Sequence, residues 1–346
     1  MTQADRPASE GDRLRVGLIA DADAIQVMVP ALKNPHLAVV AQAGKRPAES
    51  PPGVQWYDDV RVMLAQSGIQ ALLLATSPRA ATELTAMALD HSLPVWVFPP
   101  LARTFDRAVE LARRVRQAGP VIRIASWWDA VGDDVRWAMA RTEGFQPSFT
   151  HIRVSAAGPS VQSWRASLAD APGGVLATDA YDLLESLIAV RGLPQRVSAA
   201  VANVRRRPGE APRETEDVAT AILRYEGAGV AVVQGTWDIP PYGWTMEHHG
   251  TKVSIALDAQ RVAVRAADGE VLHDRPVDTE HYVQHEIDRF VRSVRAGEPP
   301  SAQDAAWERH LAVTALLQTI YLAARTGQPE SPFKFYEVQG WPEPRR

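Results

Sequence analysis

Short, continuous apolar runs recur through the first third of the chain, and the segments between them have room for one helix each. Runs that do not alternate with polar residues are typical of strands buried on both faces, and their regular separation by helices indicates parallel pairing. The pattern predicts a doubly wound parallel sheet of the Rossmann type. The runs are RLRVGLIA, HLAVVAQA, QALLLAT, PVWVF and VIRIAS, which begin at residues 13, 36, 70, 94 and 121.

The pattern changes after about residue 148. Strand-like segments then follow one another with short turns, which predicts a large, mostly antiparallel open sheet. Helices are predicted over about 176–190, 281–296 and 303–326, and Gly327 is suited to cap the last of them. The segments predicted as strands are FTHIRVSA, RVSAAVANV, DVATAILRYE, GVAVVQGTW, WTMEHHGTKVSIAL and RVAVRAADGE.

The length of the chain, 346 residues, exceeds what one compact core holds, so two domains are expected. We predict a Rossmann-like, nucleotide-binding-type α/β domain at residues 13–123. An α+β domain for substrate binding and oligomerisation is predicted at residues 124–346. Residues 1–12 are polar and are expected to form a disordered tail.

The amino-acid composition and net charge exclude several classes of function. Hydrophobic residues make up 46% of the chain and charged residues 23%, as in ordinary globular proteins. The net charge of −4 gives no electrostatic reason to expect nucleic acid or an anionic membrane as a partner. The absence of cysteine excludes disulfides, thiolate metal sites and a cysteine nucleophile. No secretion signal or membrane-length apolar run is visible, which predicts a cytoplasmic protein.

Several landmarks stand in an order that resembles the Gfo/Idh/MocA oxidoreductases, the glucose–fructose oxidoreductase and inositol dehydrogenase family. The resemblance runs from about residue 13 to 330. It implies NAD(P)-dependent oxidation of a sugar or cyclitol hydroxyl and a homo-oligomer formed through the large sheet. The landmarks are RVGLIADADAI, ALLLATSPRAATELTAMALDHSLPVWVFPPLA, SWRASLADAPGGVLATDAYDLLESLIAVRGLPQRVSA, TEDVATAILRYEGAGVAVVQGTW, HHGTKVSIALD, HYVQHEIDRFVRSVRAGEPP and YLAARTGQP.

The loop after the first strand departs from the dinucleotide-binding fingerprint, which needs glycine for a tight turn and for close approach to the pyrophosphate. Ala20, Ala22 and Ile25 occupy the three glycine positions, and Asp21 and Asp23 also enter the loop. A carboxylate about 5 Å from a phosphate opposes binding by roughly 3 kcal/mol. Two arrangements stay open: a side chain points into the phosphate position, or both point to water and cap the following helix. In either case the lost glycines predict weak or absent NAD(P) binding.

Other cofactor positions follow from the resemblance. Where the second strand ends, the family carries an acidic residue for the ribose or a basic residue for a 2′-phosphate. Gln42, Lys45 and Arg46 stand there, so a bound cofactor would be the phosphorylated form, and a solvated basic turn is the alternative. Thr76, at the end of QALLLAT, and Pro100 would also border the cofactor.

The chain has other residues at the positions where the family carries its catalytic lysine and histidine. Pro99 stands where the family carries the lysine of its Glu-Lys-Pro segment, and proline has no side-chain donor. Pro100 matches the family proline, so the turn is expected to persist, and the bond before it can be cis. On the helix near residue 180 the family carries an aspartate and, four residues later, an acid–base histidine. Those positions are Thr178 and Asp182; Asp182 either serves as the base or, with Asp179, merely lies in the first turn of a helix.

Candidate substrate residues come from the same segments. Trp128, Trp164, Arg165 and Tyr181 lie where the resemblance implies substrate-facing positions, and aromatic rings stack well on sugars. Each of the aromatic residues is equally typical of a core position.

The histidine pairs do not predict a metal site. His248 and His249 are neighbours in a strand, so their rings point to opposite faces. His281 and His285 share a helix face, but a third ligand with suitable spacing is missing and a solvated face is the simpler interpretation.

Three functions stay open. The first is an NAD(P)-dependent oxidoreductase with weak or absent turnover, because acid–base groups and the glycine loop are lost together. The second is a non-catalytic pseudoenzyme that binds, regulates or scaffolds. The third is a lyase or hydrolase that uses Asp182 or Glu185.

Overall fold

The structure, a computed structural model, describes residues 13–21, 24, 28, 33–44, 53–142, 145–204, 211–227, 229–277, 282–298 and 304–344. The predicted tail at residues 1–12 lies outside the described residues. The chain divides into two compact units. It returns to the first unit late in the sequence, whereas the sequence analysis placed a single boundary at residue 123. Unit 1 comprises Met1–Leu101, Glu110–Ala125 and His281–Trp307, and unit 2 comprises Ala102–Val109, Ser126–Glu280 and Glu308–Arg346.

Unit 1 contains a parallel sheet whose described strands have the order β3-β2-β1-β4-β5-β6. The predicted doubly wound sheet is confirmed, and β3 is an edge strand that the apolar runs did not predict. Strands β4 and β5 are buried along their whole length, as a sheet covered on both faces requires. The order reverses between β1 and β4. The strands are β1 (Leu14–Ala20), β2 (Leu37–Ala43), β3 (Gln55–Tyr57), β4 (Ala71–Ala75), β5 (Val95–Val97) and β6 (Ile122–Ile124).

Helices cover this sheet. Helices α1 (Val60–Gln66) and α2 (Pro78–Asp90) lie in unit 1, and α3 (Phe105–Ala118) is shared between the two units. A later helix, Tyr282–Ala296, also belongs to unit 1, and its Ile287 and Phe290 enter the same core as Trp96. Burial of this apolar face explains why that late segment groups with the N-terminal sheet.

Unit 2 contains an eight-stranded sheet among the described residues, in the order β14-β13-β12-β11-β7-β10-β9-β8. The predicted large, mostly antiparallel sheet is confirmed; among the strands that the structure describes, only β7 and β10 pair in parallel. The strands are β7 (Phe149–Ala156), β8 (Arg196–Ala202), β9 (Val218–Tyr225), β10 (Gly229–Trp237), β11 (Gly243–His249), β12 (Val253–Asp258), β13 (Arg261–Ala266) and β14 (Val271–Pro276).

Two strand predictions were incomplete. The segment WTMEHHGTKVSIAL forms the hairpin β11–β12, because the chain turns at Gly250 instead of continuing as one strand. Strand β14 was not predicted at all. It lies at the sheet edge and is mostly exposed, so it carries no apolar alternation.

The helices of unit 2 also differ from the pattern. The helix predicted over 176–190 is interrupted and forms α5 (Val175–Thr178) and α6 (Tyr181–Arg191), with Asp179 and Ala180 between them. Two helices were not predicted: α4 (Trp127–Met139) and α9 (Phe333–Gln339). The remaining helices are α7 (Tyr282–Ala296), described above with unit 1, and α8 (Asp304–Thr326), which both units share. Among the described residues, no helix combines the length and hydropathy needed to cross a membrane.

Candidate functional site

The carboxyl ends of β1 and β4 form the crevice of unit 1 at which the strand order reverses. Ala20 ends β1 opposite Ala75, the last residue of β4, so Asp21 and Thr76 emerge side by side. In open parallel sheets, ligands bind outside the carboxyl ends of the strands at this type of position. The crevice is therefore the position in unit 1 at which a nucleotide would bind.

Asp21 is held against the end of β4. Its Oδ2 accepts hydrogen bonds from Thr76 Oγ1 at 2.8 Å and from the backbone N–H of Ser77 at 3.0 Å. Its own N–H donates to the carbonyl of Ala75 at 2.9 Å, and its carbonyl accepts from Ala24 at 3.0 Å. Of the two arrangements left open by the sequence, the described contacts show the Asp21 side chain turned toward the end of β4. Asp23 lies outside the described residues.

The described residues of this crevice do not fit a dinucleotide pyrophosphate. A pyrophosphate needs free N–H or hydroxyl donors and no nearby carboxylate. Here the Thr76 hydroxyl and the Ser77 N–H already donate to Asp21, which adds a negative charge. At the end of β2, Gln42 is buried and its Oε1 has no hydrogen-bond partner among the described residues. The other predicted cofactor residues Ala22, Lys45 and Arg46 lie outside the described residues.

The junction between β5 and α3 keeps its turn without a proton-carrying group. The peptide bond between Pro99 and Pro100 is cis, as the sequence analysis allowed, and both residues are buried. Arg103 is the only titratable residue between Val97 and Phe105. Its Nη1 donates to the carbonyl of Ala169 at 2.8 Å, so it fastens the loop within unit 2.

In unit 2, a buried glutamate fixes the Gly-Gly segment that precedes α5. Glu216 Oε2 accepts from the N–H of Gly174 at 2.5 Å, and Oε1 accepts from Leu176 at 3.2 Å and from the Tyr321 hydroxyl at 2.9 Å. Burial raises the pKa of the Glu216 carboxyl, and these donors oppose the rise. A methyl group on Gly174 would lie 1.9 Å from the carbonyl oxygen of Glu216. Close backbone approach therefore requires glycine at this position.

Asp179, at the break between α5 and α6, joins several side chains at one end of the large sheet. Its Oδ2 accepts from Thr178 Oγ1 at 2.8 Å and from Trp237 Nε1 at 2.8 Å, and it forms an ion pair with Arg165. The Arg165 guanidinium lies 5.6 Å from the centroid of the Trp237 ring. Arg213 lies 5.4 Å from the same ring and pairs with Asp238 at 3.0 Å. Sequence analysis treated Asp179 only as a helix-turn residue and missed this cluster.

The two predicted catalytic residues differ in their surroundings. The Thr178 hydroxyl also lies 3.0 Å from the carbonyl of Gly174 and accepts from Arg165 at 3.2 Å, so it belongs to the Asp179 cluster. Asp182 lies in the first turn of α6 and is partly exposed. Its carboxylate is near enough to Tyr181 to contribute to the raised pKa of that phenol. Asp182 is thus the more accessible carboxylate on this helix.

Glu185, the alternative carboxylate, is completely buried. It accepts from Ser126 Oγ at 2.6 Å and from Arg309 Nε at 3.0 Å, and Arg309 also pairs with Asp129. Burial raises the pKa of the Glu185 carboxyl, and Arg309 and Ser126 oppose the rise. This network ties α4, α6 and α8 together within unit 2.

Of the four predicted substrate residues, two are buried and two are partly exposed. Tyr181 is buried, and its hydroxyl lies 2.8 Å from Nδ1 of His310. Burial raises its pKa well above the ordinary value, with the nearby Glu185 and Asp182 charges adding to the rise. Trp128 is also buried, and its ring lies beside Gly132 and 5.2 Å from the Arg136 guanidinium of the same helix. Trp164 and Arg165 remain partly exposed.

The neighbouring histidines of β11 have different surroundings. His248 is buried, with Nδ1 at 3.0 Å from Thr150 Oγ1, whereas His249 is partly exposed and stacks on Phe149. Within the described part of the chain, no group of three or more acidic or histidine residues is placed to hold a metal ion. His281 lies outside the described residues.

Comparison with known proteins gives one domain match and a set of solved structures with a similar fold. Residues 146–256 match the profile of the GFO/IDH/MocA C-terminal domain. A search of curated protein sequences gave no match. The resemblance noted from the sequence is thus confirmed by the domain match and by the fold of solved structures.

Three similar structures illustrate the fold. GenD2 from gentamicin A biosynthesis, in complex with NAD, has a TM-score of 0.75 and 17% identity, covering 94% of this chain and 98% of its own. Levoglucosan dehydrogenase in complex with NADH and levoglucosan has a TM-score of 0.73 and 17% identity, covering 92% and 99%. An oxidoreductase from Thermotoga maritima has a TM-score of 0.78 and 17% identity, covering 93% and 99%. At these identities the similarity establishes a shared fold.

Proposed function

We propose that this protein is an oxidoreductase-fold protein with weak or absent dehydrogenase turnover, and the match of residues 146–256 to the GFO/IDH/MocA C-terminal domain supports this. The nominal reaction would be NAD(P)-dependent oxidation of a sugar or cyclitol hydroxyl. Similar folds bound to NAD, or to NADH and levoglucosan, support that nominal assignment. The cytoplasmic location and the lack of a nucleic-acid partner stay predictions from composition.

The junction after β5 is the observation that carries this proposal. Oxidation of a hydroxyl group requires a base that accepts its proton as the hydride leaves. The buried Pro99 and Pro100 supply no such group, and Arg103 is bound to the carbonyl of Ala169. Loss of one general acid–base group typically lowers a rate by roughly 10²–10⁴. The buried Tyr181 does not replace it readily, because its raised pKa makes the phenolate scarce.

A non-catalytic role in binding, regulation or scaffolding is the form of this proposal that we favour. Thr178 and Asp179 are engaged with each other and with Arg165, so they stabilise the end of the large sheet. Trp164 and Arg165 are partly exposed and would contact a carbohydrate-like ligand.

A homo-oligomer through the large sheet is part of the same proposal. The outward face of β9 and β10 carries Ile222, which is 45% exposed, opposite Val232. The inward face is covered, since a methyl group on Gly235 would meet Val175 and Leu176 of α5. A second copy of the chain would cover the outward apolar side chains.

A lyase or hydrolase reaction is the second candidate, and it depends on Asp182. Glu185 is less suited to this role because it is completely buried in ion pairs and hydrogen bonds with Arg309 and Ser126. Asp182 is partly exposed at the start of α6.

A turnover assay tests the proposal. The full chain is incubated with NAD or NADP and a panel of sugars and cyclitols, and reduced nicotinamide is measured. We expect no formation above the enzyme-free rate, whereas a kcat of about 1–10³ s⁻¹, the usual enzyme range, would contradict the proposal. Product analysis without cofactor tests the second candidate. Any hydrolysis or elimination should disappear in Asp182→Asn and persist in the control Asp170→Asn.

A further inference from the structure

Two hydrogen-bond donors, the Thr76 hydroxyl and the Ser77 N–H, lie at the end of β4. Ser77 is the N-cap of the 13-residue helix α2, so its N–H and the adjacent Thr76 hydroxyl lie at the positive end of that helix. Donors at a helix N-terminus on the carboxyl edge of a parallel sheet are able to bind a phosphate group. In this chain both donate to a single carboxylate oxygen, Oδ2 of Asp21, at 2.8 and 3.0 Å.

Backbone contacts fix the carboxylate in this place. The N–H of Asp21 donates to the Ala75 carbonyl and extends the β1–β4 ladder by one residue, and the N–H of Ala24 donates to the carbonyl of Asp21. Rotation of the side chain out of the crevice would break both bonds to the donor pair. Asp21 is partly exposed, so its charge faces any ligand that approaches the crevice.

We infer that Asp21 is an internal anion that occupies the donors of this crevice and excludes ligands bearing a diphosphate. The inference rests on the proposed weakness of dinucleotide binding and assigns it to one residue. A like charge at about 5 Å lowers the affinity for a phosphate roughly a hundredfold. The lost glycines at Ala20 and Ala22 act separately, through the backbone.

Substitutions of Asp21 distinguish the effect of its negative charge from the effect of its hydrogen bonds on the fold. In Asp21→Asn a single amide oxygen can accept both hydrogen bonds, so the fold is retained while the charge is removed. Asp21→Ala also frees the Thr76 and Ser77 donors. The control is Asp58→Asn, which removes an equal charge from an exposed residue directly after β3, at the same edge of the sheet.

The experiment titrates NADH into the full-length wild type and the three variants, with nicotinamide fluorescence as the readout and thermal melting as the fold check. We expect Asp21→Asn to bind NADH at least about tenfold more tightly than wild type, with Asp21→Ala at least equal to it, and Asp58→Asn unchanged. Folded Asp21→Asn and Asp21→Ala that bind no better than wild type would overturn the inference and leave the proposed function standing. Micromolar binding by the wild type would instead overturn the proposed weakness itself. If Asp21→Asn fails to melt cooperatively, Asp21→Ser supplies the neutral acceptor and the same comparison.

Discussion

At the level of single residues, Asp21 and Asp179 are each held by side chains and backbone groups from other segments of the chain. Sequence alone identified Asp21 as a charge in the phosphate loop, but the donors that hold it lie 55 and 56 residues away and only the fold brings them together. Asp179 looked like an ordinary first-turn acid, and Trp237 and Arg165, which bind it, are distant in the chain. The sequence thus identifies these residues as candidates, but it does not predict which groups bind them. Contacts between distant segments leave no local sequence pattern.

His248 gives a pH-dependent prediction at this scale. Burial, with the charges of Arg191 and His249 adding to it, lowers the pKa of His248 from 6.5 to about 4. As the pH falls from 6.5 toward 4, His248 therefore binds a proton in the unfolded chain but stays neutral in the folded chain. The associated stability is fully present above pH 6.5 and declines below it, by about 3 kcal/mol in total.

Urea unfolding at several pH values tests this prediction. His248→Asn should flatten the decline between pH 6.5 and 4, and the control His273→Gln, at an exposed position on β14, should retain it. Equal pH dependence in wild type and His248→Asn would show that another group causes the acid sensitivity.

At the scale of elements, periodicity predicted most of both sheets. Buried strands such as β4 carry uninterrupted apolar runs, so their positions were found within a residue or two. The edge strands β3 and β14 were missed because short or exposed strands carry little apolar signal. The break between α5 and α6 was also missed, since the contacts of Asp179 that accompany it are tertiary.

Gly174, which directly precedes α5, gives a prediction about the stability of the fold at the start of this helix. Its added methyl group would meet the backbone oxygen of Glu216 at 1.9 Å, and backbone cannot move aside cheaply. We expect Gly174→Ala to lower the unfolding free energy by about 3 kcal/mol or more. Thermal melting and soluble yield measure the loss.

A matched glycine serves as the control for that variant. Gly17→Ala would meet only flexible side-chain ends, those of Ile69, Met63 and Leu72, at 3.0 to 3.3 Å. It should therefore cost less than Gly174→Ala. The reverse order of stability would contradict the close-approach explanation.

At the scale of the whole molecule, the outward face of the large sheet predicts self-association. Ile222→Lys places a charge among the outward side chains of β9 and β10 and should convert an oligomer into monomers in sedimentation velocity. The control Leu272→Lys alters an equally exposed residue, 44% accessible, on the edge strand β14. It should leave the oligomer intact. A monomeric wild type would refute the oligomer, and unchanged assembly of Ile222→Lys would refute this interface.

The chain shares its fold with proteins solved in complex with NAD or NADH, and we propose that its own crevice does not bind the dinucleotide in the ordinary way. Calorimetric titration of the full-length protein with NAD, NADH, NADP and NADPH tests it most directly. We expect no saturable binding up to about 1 mM for any of the four. A dissociation constant in the micromolar range for any one of them would contradict it.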